Sequence, residues 1–191
     1  MTKNIAFFML ILISSTVFSK VICNGQVNAE LADCAEENYE AADRILNNSY
    51  NEFIRKSNPP EKKNLIEAQR AWIEYKERYC DAAFDATAPG AEASIDKWAC
   101  LTSLTEVRTN EIRYLESSIG MDDFRRSLSV MANLYENGDT AKVISKLIKS
   151  TPDRSNPDWV KYVHLNCKMT AERLQEEGNA CTARLNFFKN W

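Results

Sequence analysis

The chain has 191 residues, 45% of them hydrophobic and 27% charged, with a formal net charge of −3. This length and composition suit one or two folded domains and argue against disorder. The charge is uneven: residues 20–120 carry 12 Lys or Arg against 18 Asp or Glu, whereas residues 121–191 carry 11 against 9. An acidic first part argues against nucleic-acid binding, which depends on clustered Lys and Arg. It permits attraction to a basic protein partner, and it is equally compatible with a face that only keeps the protein soluble.

Residues 1–19 are typical of a cleaved signal peptide. Lys3 precedes the apolar stretch "IAFFMLILISSTVF", and the residues around Ser19 suit a signal peptidase, so we expect cleavage after Ser19. The apolar stretch is shorter than the roughly 20 residues that a spanning helix needs, and we expect no stable membrane insertion after cleavage. Lipidation of Cys23 is the alternative, but the bulky Ile22 stands where a small residue is required. We therefore expect a periplasmic or secreted protein.

The rest of the chain predicts an all-α fold. All five Pro and all five Gly fall between segments of helical periodicity, where helix-breaking residues belong. The segments predicted to be helical are 29–57, 60–86, 92–118, 121–136, 139–150, 158–177 and 179–190. Short connections between them predict antiparallel neighbours. We expect a three-helix antiparallel unit over residues 20–118, stapled by disulfides, and a shorter helical unit over residues 121–191.

The second of these segments is the most clearly specified. Apolar residues recur at steps of three or four from Leu65 to Ala83, which marks one face of a helix. Ser57 and Asn58 are available to cap its start, and two prolines follow at positions that tolerate a missing amide proton.

Six cysteines in an exported chain predict three disulfides. Cys80 and Cys100 each lie ten residues from Gly90, which predicts that an antiparallel hairpin brings them to the same height. We therefore expect a bond between Cys80 and Cys100.

A repeated spacing bears on the other four cysteines. In "AQRAWIEYKERYC" and in "DWVKYVHLNC" a Trp precedes a Tyr by three residues and a Cys by eight. By this analogy Cys167 pairs with Cys181, which leaves Cys23 for Cys34. Gly178 is not midway between Cys167 and Cys181, so a symmetric turn does not account for that pair. We interpret the spacing as a disulfide staple with its aromatic packing.

Catalytic and metal sites are not expected. The chain has one histidine, His164, which leaves no plausible Ser-His-Asp set and no His-rich metal site. Composition leaves a two-carboxylate glycosidase open, but carboxylate pairs on helices this charged are usually solvated. We expect a binding protein that is not an enzyme and needs no cofactor.

Two stretches resemble a known family. "AQRAWIEYKERYC", followed by "CLTSLTEVRTNEIRYL", and the upstream "CNGQVNAELADCAEENYEAADRILNNSY" closely resemble the secreted domain named for the lysozyme inhibitor LprI. The resemblance covers about residues 23–118, and residues 121–191 match only as a degenerate second copy. Lys76 is a departure, because the family usually has Arg there and Lys lacks the bidentate fork.

The resemblance implies antiparallel helices and, for the namesake, binding and inhibition of lysozyme outside the cytoplasm. We expect a structural polar network between helices at five positions: Asp43, Asn47, Gln69, Arg70 and Arg108. As the partner-contact loop we predict residues 85–96, because they cap a rigid hairpin. Its candidate residues are Asp85, Pro89, Gly90, Glu92 and Asp96. The alternative function is a periplasmic structural or interaction protein that docks an envelope or secretion component.

Overall fold

The structure, a computed structural model, describes residues 21–149 and 152–189, and these residues form helices and connecting loops without any strand. The α-helices are α1 (Asn28–Lys56), α2 (Pro59–Thr87), α3 (Ala93–Ser117), α4 (Asp122–Tyr135), α5 (Thr140–Lys149), α6 (Pro157–Leu174) and α7 (Gly178–Lys189). The predicted all-α fold is confirmed.

A short 3-10 helix, Pro152–Ser155, lies between α5 and α6 and was not expected from the sequence pattern. The predicted signal peptide and its cleavage site fall outside the described residues. Within the described ranges, no helix has the length and apolar character that crossing a membrane requires.

Local capping explains where the helices begin and end. Asn58 caps α2: its side chain accepts from the Glu61 N–H at 3.0 Å, and the Glu61 carboxylate accepts from the Asn58 N–H at 3.0 Å. Ser57 instead closes α1, because its hydroxyl donates to the Phe53 carbonyl at 2.9 Å. Helix α6 ends at Leu174, short of the predicted 177, because Gln175 adopts the left-handed conformation with φ 57°.

The first three helices alternate in direction, as predicted. The first half of α1 meets the first turns of α3, where the Tyr39 and Trp98 rings stack with centroids 5.5 Å apart. At the other end, Lys56 of α1 pairs with Glu116 of α3 at 2.5 Å. Helices α1 and α3 are therefore parallel to each other. Lys76, in the second half of α2, donates to the hydroxyl of Tyr39, in the first half of α1, at 2.8 Å, so α2 is antiparallel to both.

Helix α6 packs along α2 in the antiparallel direction. The Tyr75 and Trp159 rings lie 4.8 Å apart near one end, and Arg173 pairs with Glu61 at 2.7 Å near the other. The two copies of the Trp, Tyr, Cys spacing thus meet across the α2–α6 interface, in addition to packing within their own hairpins. Buried side chains from α1, α2, α3, α6 and α7 form a single hydrophobic cluster. Residues from the 121–189 segment therefore complete the core of the 20–118 segment.

Three disulfides join the six cysteines: Cys23–Cys34, Cys80–Cys100 and Cys167–Cys181. These are the pairs expected from the sequence. The Cys80–Cys100 bond links α2 to α3, and Cys80 is fully buried. The bond between Cys23 and Cys34 ties the segment that precedes α1 onto that helix.

Replacing both Cys80 and Cys100 by Ala is expected to lower the free energy of unfolding by about 3 kcal/mol, because the bond closes a loop of some twenty residues in the unfolded chain. The measurement is urea unfolding under oxidising conditions. As a control, Cys23→Ala with Cys34→Ala should lower global stability by less than about 1 kcal/mol, because the tied segment lies at the edge of the fold and can detach locally. Equal losses for the two variants would contradict this prediction.

Candidate functional site

The tip of the α2–α3 hairpin carries the residues predicted for partner contact. The loop consists of residues 88–92, in which Pro89 and Glu92 are exposed. Asp85 is exposed on the last turns of α2, and Asp96 is half-buried in the first turn of α3. The structure therefore presents most of the predicted loop to solvent on the ends of two long helices.

The tip is a tight, hydrogen-bonded turn. The Gly90 N–H donates to the Thr87 carbonyl at 2.7 Å, and the Gly90 carbonyl accepts from the Ala93 N–H at 3.2 Å. A Cβ atom at position 90 would lie 2.6 Å from the Thr87 carbonyl oxygen, so the turn requires glycine. The predicted loop is consequently a stiff element and not a slack connection.

The tip lies at an acidic end of the molecule. Residues 28–43 of α1 include six carboxylates and no basic residue, and residues 76–97 include five carboxylates and three basic residues. The stacking of Tyr39 on Trp98 and the bond from Lys76 to Tyr39 bring the two ranges together. We call residues 28–43 and 76–97 the acidic pole. Its net charge of −8 exceeds the −3 of the whole chain, so the rest of the protein is net positive.

The basic side chains of the acidic pole are already engaged. Lys97 pairs with Asp81 at 2.6 Å, and Arg78 pairs with Asp158 of α6. Lys76 is buried, and its ammonium pairs with Glu77 at 3.1 Å and lies over the Tyr39 ring, 4.9 Å from the centroid. The charge presented to a partner is therefore carried by carboxylates.

Lys76 forms a salt bridge with Glu77 although it lacks the guanidinium fork of the Arg that the family resemblance leads us to expect at this position. Burial alone would lower the pKa of its ammonium, but the hydrogen bonds that the ammonium donates to Tyr39 and Glu77 outweigh burial and raise that pKa. Lys76 is therefore charged, and it fixes α1 against α2 beside the acidic pole.

Two of the five residues predicted to form a polar network meet in the core. Arg108 of α3 is fully buried, and its Nε donates to the Gln69 side-chain oxygen at 2.9 Å. Its Nη1 donates to two groups on α6, the Tyr162 hydroxyl at 3.2 Å and the Asn166 side-chain oxygen at 2.8 Å. Burial raises the pKa of Tyr162 to about 12, so its hydroxyl is neutral. Arg108 therefore joins α2, α3 and α6.

The network continues to α7 through a second pair of charges. The Asn166 side-chain NH2 donates to Glu111 at 3.1 Å, and Glu111 accepts from Arg184, both side chains being about 1% exposed. Arg184 also donates to Glu176 at 2.8 Å, in the loop between α6 and α7. Burial would lower the pKa of Arg184, but Glu111 and Glu176 raise it above its ordinary value. The charges of Arg108, Glu111, Glu176 and Arg184 sum to zero.

The other three predicted network residues lie apart from this cluster. Asn47 donates to Asp43 at 2.8 Å on the surface of α1, four residues along the same helix. Arg70 is exposed on α2. The predicted network of five residues is thus divided into a surface pair, an exposed arginine and the buried pair of Gln69 and Arg108.

Sequence reasoning missed Glu111, Asn166 and Arg184, which complete the buried network. A signal for Glu111 was present in the sequence. One face of α3 follows steps of four, three and four residues through Leu104, Arg108, Glu111 and Leu115, so two charged residues share an otherwise apolar face. Charged residues on a buried face are rare unless they are paired. That pattern indicates a partner but does not identify it.

The one histidine of the sequence and the acidic side chains are candidates for catalysis or metal binding. His164 is exposed on α6. Across residues 21–149 and 152–189, no group of His, Cys, Asp or Glu side chains could hold a metal ion.

Comparison with known proteins gives one family and one relative. The family model described as "Lysozyme inhibitor LprI" matches residues 23–112, which span α1, α2 and most of α3. The uncharacterized protein R02472 of Rhizobium meliloti (strain 1021) is 32% identical over 103 residues, covering 47% of this chain and 73% of the relative. No solved structure matches the chain. The matched range includes the acidic pole, Gln69, Arg108 and Glu111, while the α6 and α7 partners of these residues lie outside it.

Proposed function

The chain belongs, over residues 23–112, to the family of the lysozyme inhibitor LprI, and from this we propose that it is an exported protein that binds a lysozyme and inhibits it by occlusion. Family membership is the observation that carries the proposal. Three disulfides in one small chain fit an oxidising compartment outside the cytoplasm.

The charge of the acidic pole supports a basic partner. Lysozymes are usually basic proteins, and complementary charge accelerates association and fixes orientation. The eleven carboxylates of the acidic pole lie at one end of the molecule, beside the hairpin tip. A basic enzyme would therefore be drawn to the end that carries the predicted contact residues.

The stiffness of the hairpin tip supports occlusion. A loop that is already rigid loses little conformational entropy on binding, which favours affinity. The hydrogen-bonded turn around Gly90 holds the tip. Further along the hairpin, the Cys80–Cys100 bond joins α2 to α3. We propose that Asp85, Pro89 and Glu92 enter or border the substrate cleft of the bound hydrolase.

The exported form, beginning at Lys20, is expected to slow lysis of bacterial cell walls by a lysozyme at micromolar concentration. Asp85→Lys combined with Glu92→Lys should weaken inhibition at least about tenfold at low salt, because it reverses charge at the contact. In 0.5 M salt the difference in inhibition between this variant and the unaltered protein should shrink, because charges then interact over only a few ångströms. The assay is turbidity of a cell-wall suspension over a series of inhibitor concentrations.

The matched control makes the same change of charge outside the acidic pole. Glu106→Lys combined with Glu172→Lys alters two exposed carboxylates on α3 and α6, and inhibition should change by less than about twofold. Lack of inhibition of c-type, g-type and i-type lysozymes by the unaltered protein would refute the proposal.

A second candidate function is an interaction protein that docks an envelope or secretion component. The observation favouring it is a row of exposed apolar side chains in and near α4, where Val130, Leu134 and Tyr135 are 56%, 67% and 75% exposed. Recovery of one non-hydrolase partner from envelope extract, lost on Leu134→Ser with Tyr135→Ser, together with no effect on any lysozyme, would favour this function over inhibition.

A further inference from the structure

An apolar cleft opens at the acidic pole, between the segment before α1 and the first turns of α1 and α3. Its volume is about 460 Å³. The residues that line it include no charged side chain: Val21, Ile22, Cys23, Leu31, Ala35, Asn38, Ile95, Ala99 and Thr102. The cleft adjoins the predicted contact loop, residues 85–96, and of the lining residues only Ile95 belongs to that loop.

One wall of the cleft is held in place by specific bonds. Asn38 of α1 makes two hydrogen bonds with the backbone of Val21. Its side-chain oxygen accepts from the Val21 N–H at 2.9 Å, and its NH2 donates to the Val21 carbonyl at 3.0 Å. Two residues further on, Cys23 is bonded to Cys34. The segment before α1 is therefore a fixed wall, which a partner can use without first ordering it.

The two polar side chains that line the cleft, Asn38 and Thr102, already have partners inside the protein. The Asn38 amide is used by Val21, and the Thr102 hydroxyl donates to the Trp98 carbonyl at 2.8 Å. The mouth is apolar as well, because Ile22 and Val21 are 81% and 54% exposed. An occupant therefore gains by burying apolar surface and not by hydrogen bonding.

The charge around the cleft indicates what kind of molecule carries the apolar group that binds there. Glu30 adjoins Leu31 in the chain, Asp96 adjoins Ile95, and both acids belong to the acidic pole. An apolar ligand with its own carboxylate, such as a fatty acid, would be repelled at this end of the protein, whereas a side chain on a basic protein surface would be attracted.

We propose that the cleft is the anchor site for the basic protein bound under the proposed function, and that it receives one apolar side chain from that protein's surface. This inference rests on the proposed function and adds to it the pocket that holds the partner. The carboxylates of the acidic pole steer the partner, and the cleft supplies the buried anchor from which most of the affinity of such interfaces comes.

The test fills the cleft. Ala99→Phe places a large side chain in the cleft from an exposed position on α3, and Ala171→Phe makes the same change at an exposed position on α6. Titration calorimetry of the exported form with a c-type lysozyme should show binding weakened at least about tenfold by Ala99→Phe and by less than about twofold by Ala171→Phe. The Ala99→Phe effect should persist in 0.5 M salt, unlike that of Asp85→Lys with Glu92→Lys, because apolar burial is not screened.

Ile22→Ser provides a second variant that cannot disturb the core, because Ile22 is exposed, and it should weaken binding about fivefold. Unchanged binding by both Ala99→Phe and Ile22→Ser, with the unaltered protein still inhibiting, would overturn the anchor site and leave the proposed function standing. Failure of the unaltered protein to bind any lysozyme would overturn both.

Discussion

A fragment ending at residue 118 is expected to lose the cooperative folding of the full chain. The family match stops at residue 112, and a domain boundary near 118 is what the sequence predicts. In the structure, α6 and α7 cover faces of α2 and α3. Tyr75 of α2 packs on Trp159 of α6 with ring centroids 4.8 Å apart. The guanidinium carbon of Arg184, in α7, lies 4.6 Å from the ring centroid of Tyr114, in α3.

Removing residues 119–191 would expose these surfaces and open the buried network. Arg108 would lose both of its α6 acceptors, and Glu111 would lose Asn166 and Arg184. Each large side chain whose burial is lost costs about 1.5–3 kcal/mol, and a whole domain is stable by only about 5–15 kcal/mol. A fragment of this size has little stability in reserve.

Circular dichroism during urea unfolding of residues 20–118 should show no sharp transition, while the exported full chain unfolds cooperatively. Supplying residues 119–191 as a separate chain is the control, because it should restore the transition if the contacts and not the covalent connection matter. A fragment that unfolds as sharply as the full chain would establish residues 20–118 as an independent domain and contradict the expectation.

Glu111→Gln is expected to lower the free energy of unfolding by about 3–5 kcal/mol, the usual result of removing one partner from a buried charge pair. Glutamine keeps the shape of the side chain and removes its charge. Arg108 and Arg184 would then share the buried region with Glu176 alone, and both guanidinium groups are almost fully buried. Most of this loss of stability comes from leaving a buried cation without its counter-charge, and less of it comes from the missing contact itself.

Glu106→Gln is the matched control, since Glu106 is exposed on the same helix and its replacement should change stability by less than about 0.5 kcal/mol. Adding Arg184→Met to Glu111→Gln should recover part of the loss, because the double variant removes both charges together. Equal effects of Glu111→Gln and Glu106→Gln in urea unfolding would show that the network contributes nothing to stability.

The helices and the disulfide pairs could be predicted from the sequence, because both depend on relations that are local along the chain. Proline, glycine and capping residues such as Asn58 set the helix ends to within about three residues. The Cys80–Cys100 pair follows from helical rise on either side of one turn. The acidic pole was foreseen only as a surplus of charge, since nothing local places residues 28–43 beside residues 76–97.

How those helices are assembled, and what they enclose, could not be predicted in this way, because it depends on contacts between residues far apart in the chain. Arg108 and Glu111 find their partners 54 to 73 residues away on α6 and α7, and no short-range pattern specifies such pairs. The cleft likewise needs Val21 placed against α1 and α3 by Asn38, a contact across 17 residues. Periodicity shows which face of a helix is buried, but the side chain that meets it is chosen by the packing of the whole core.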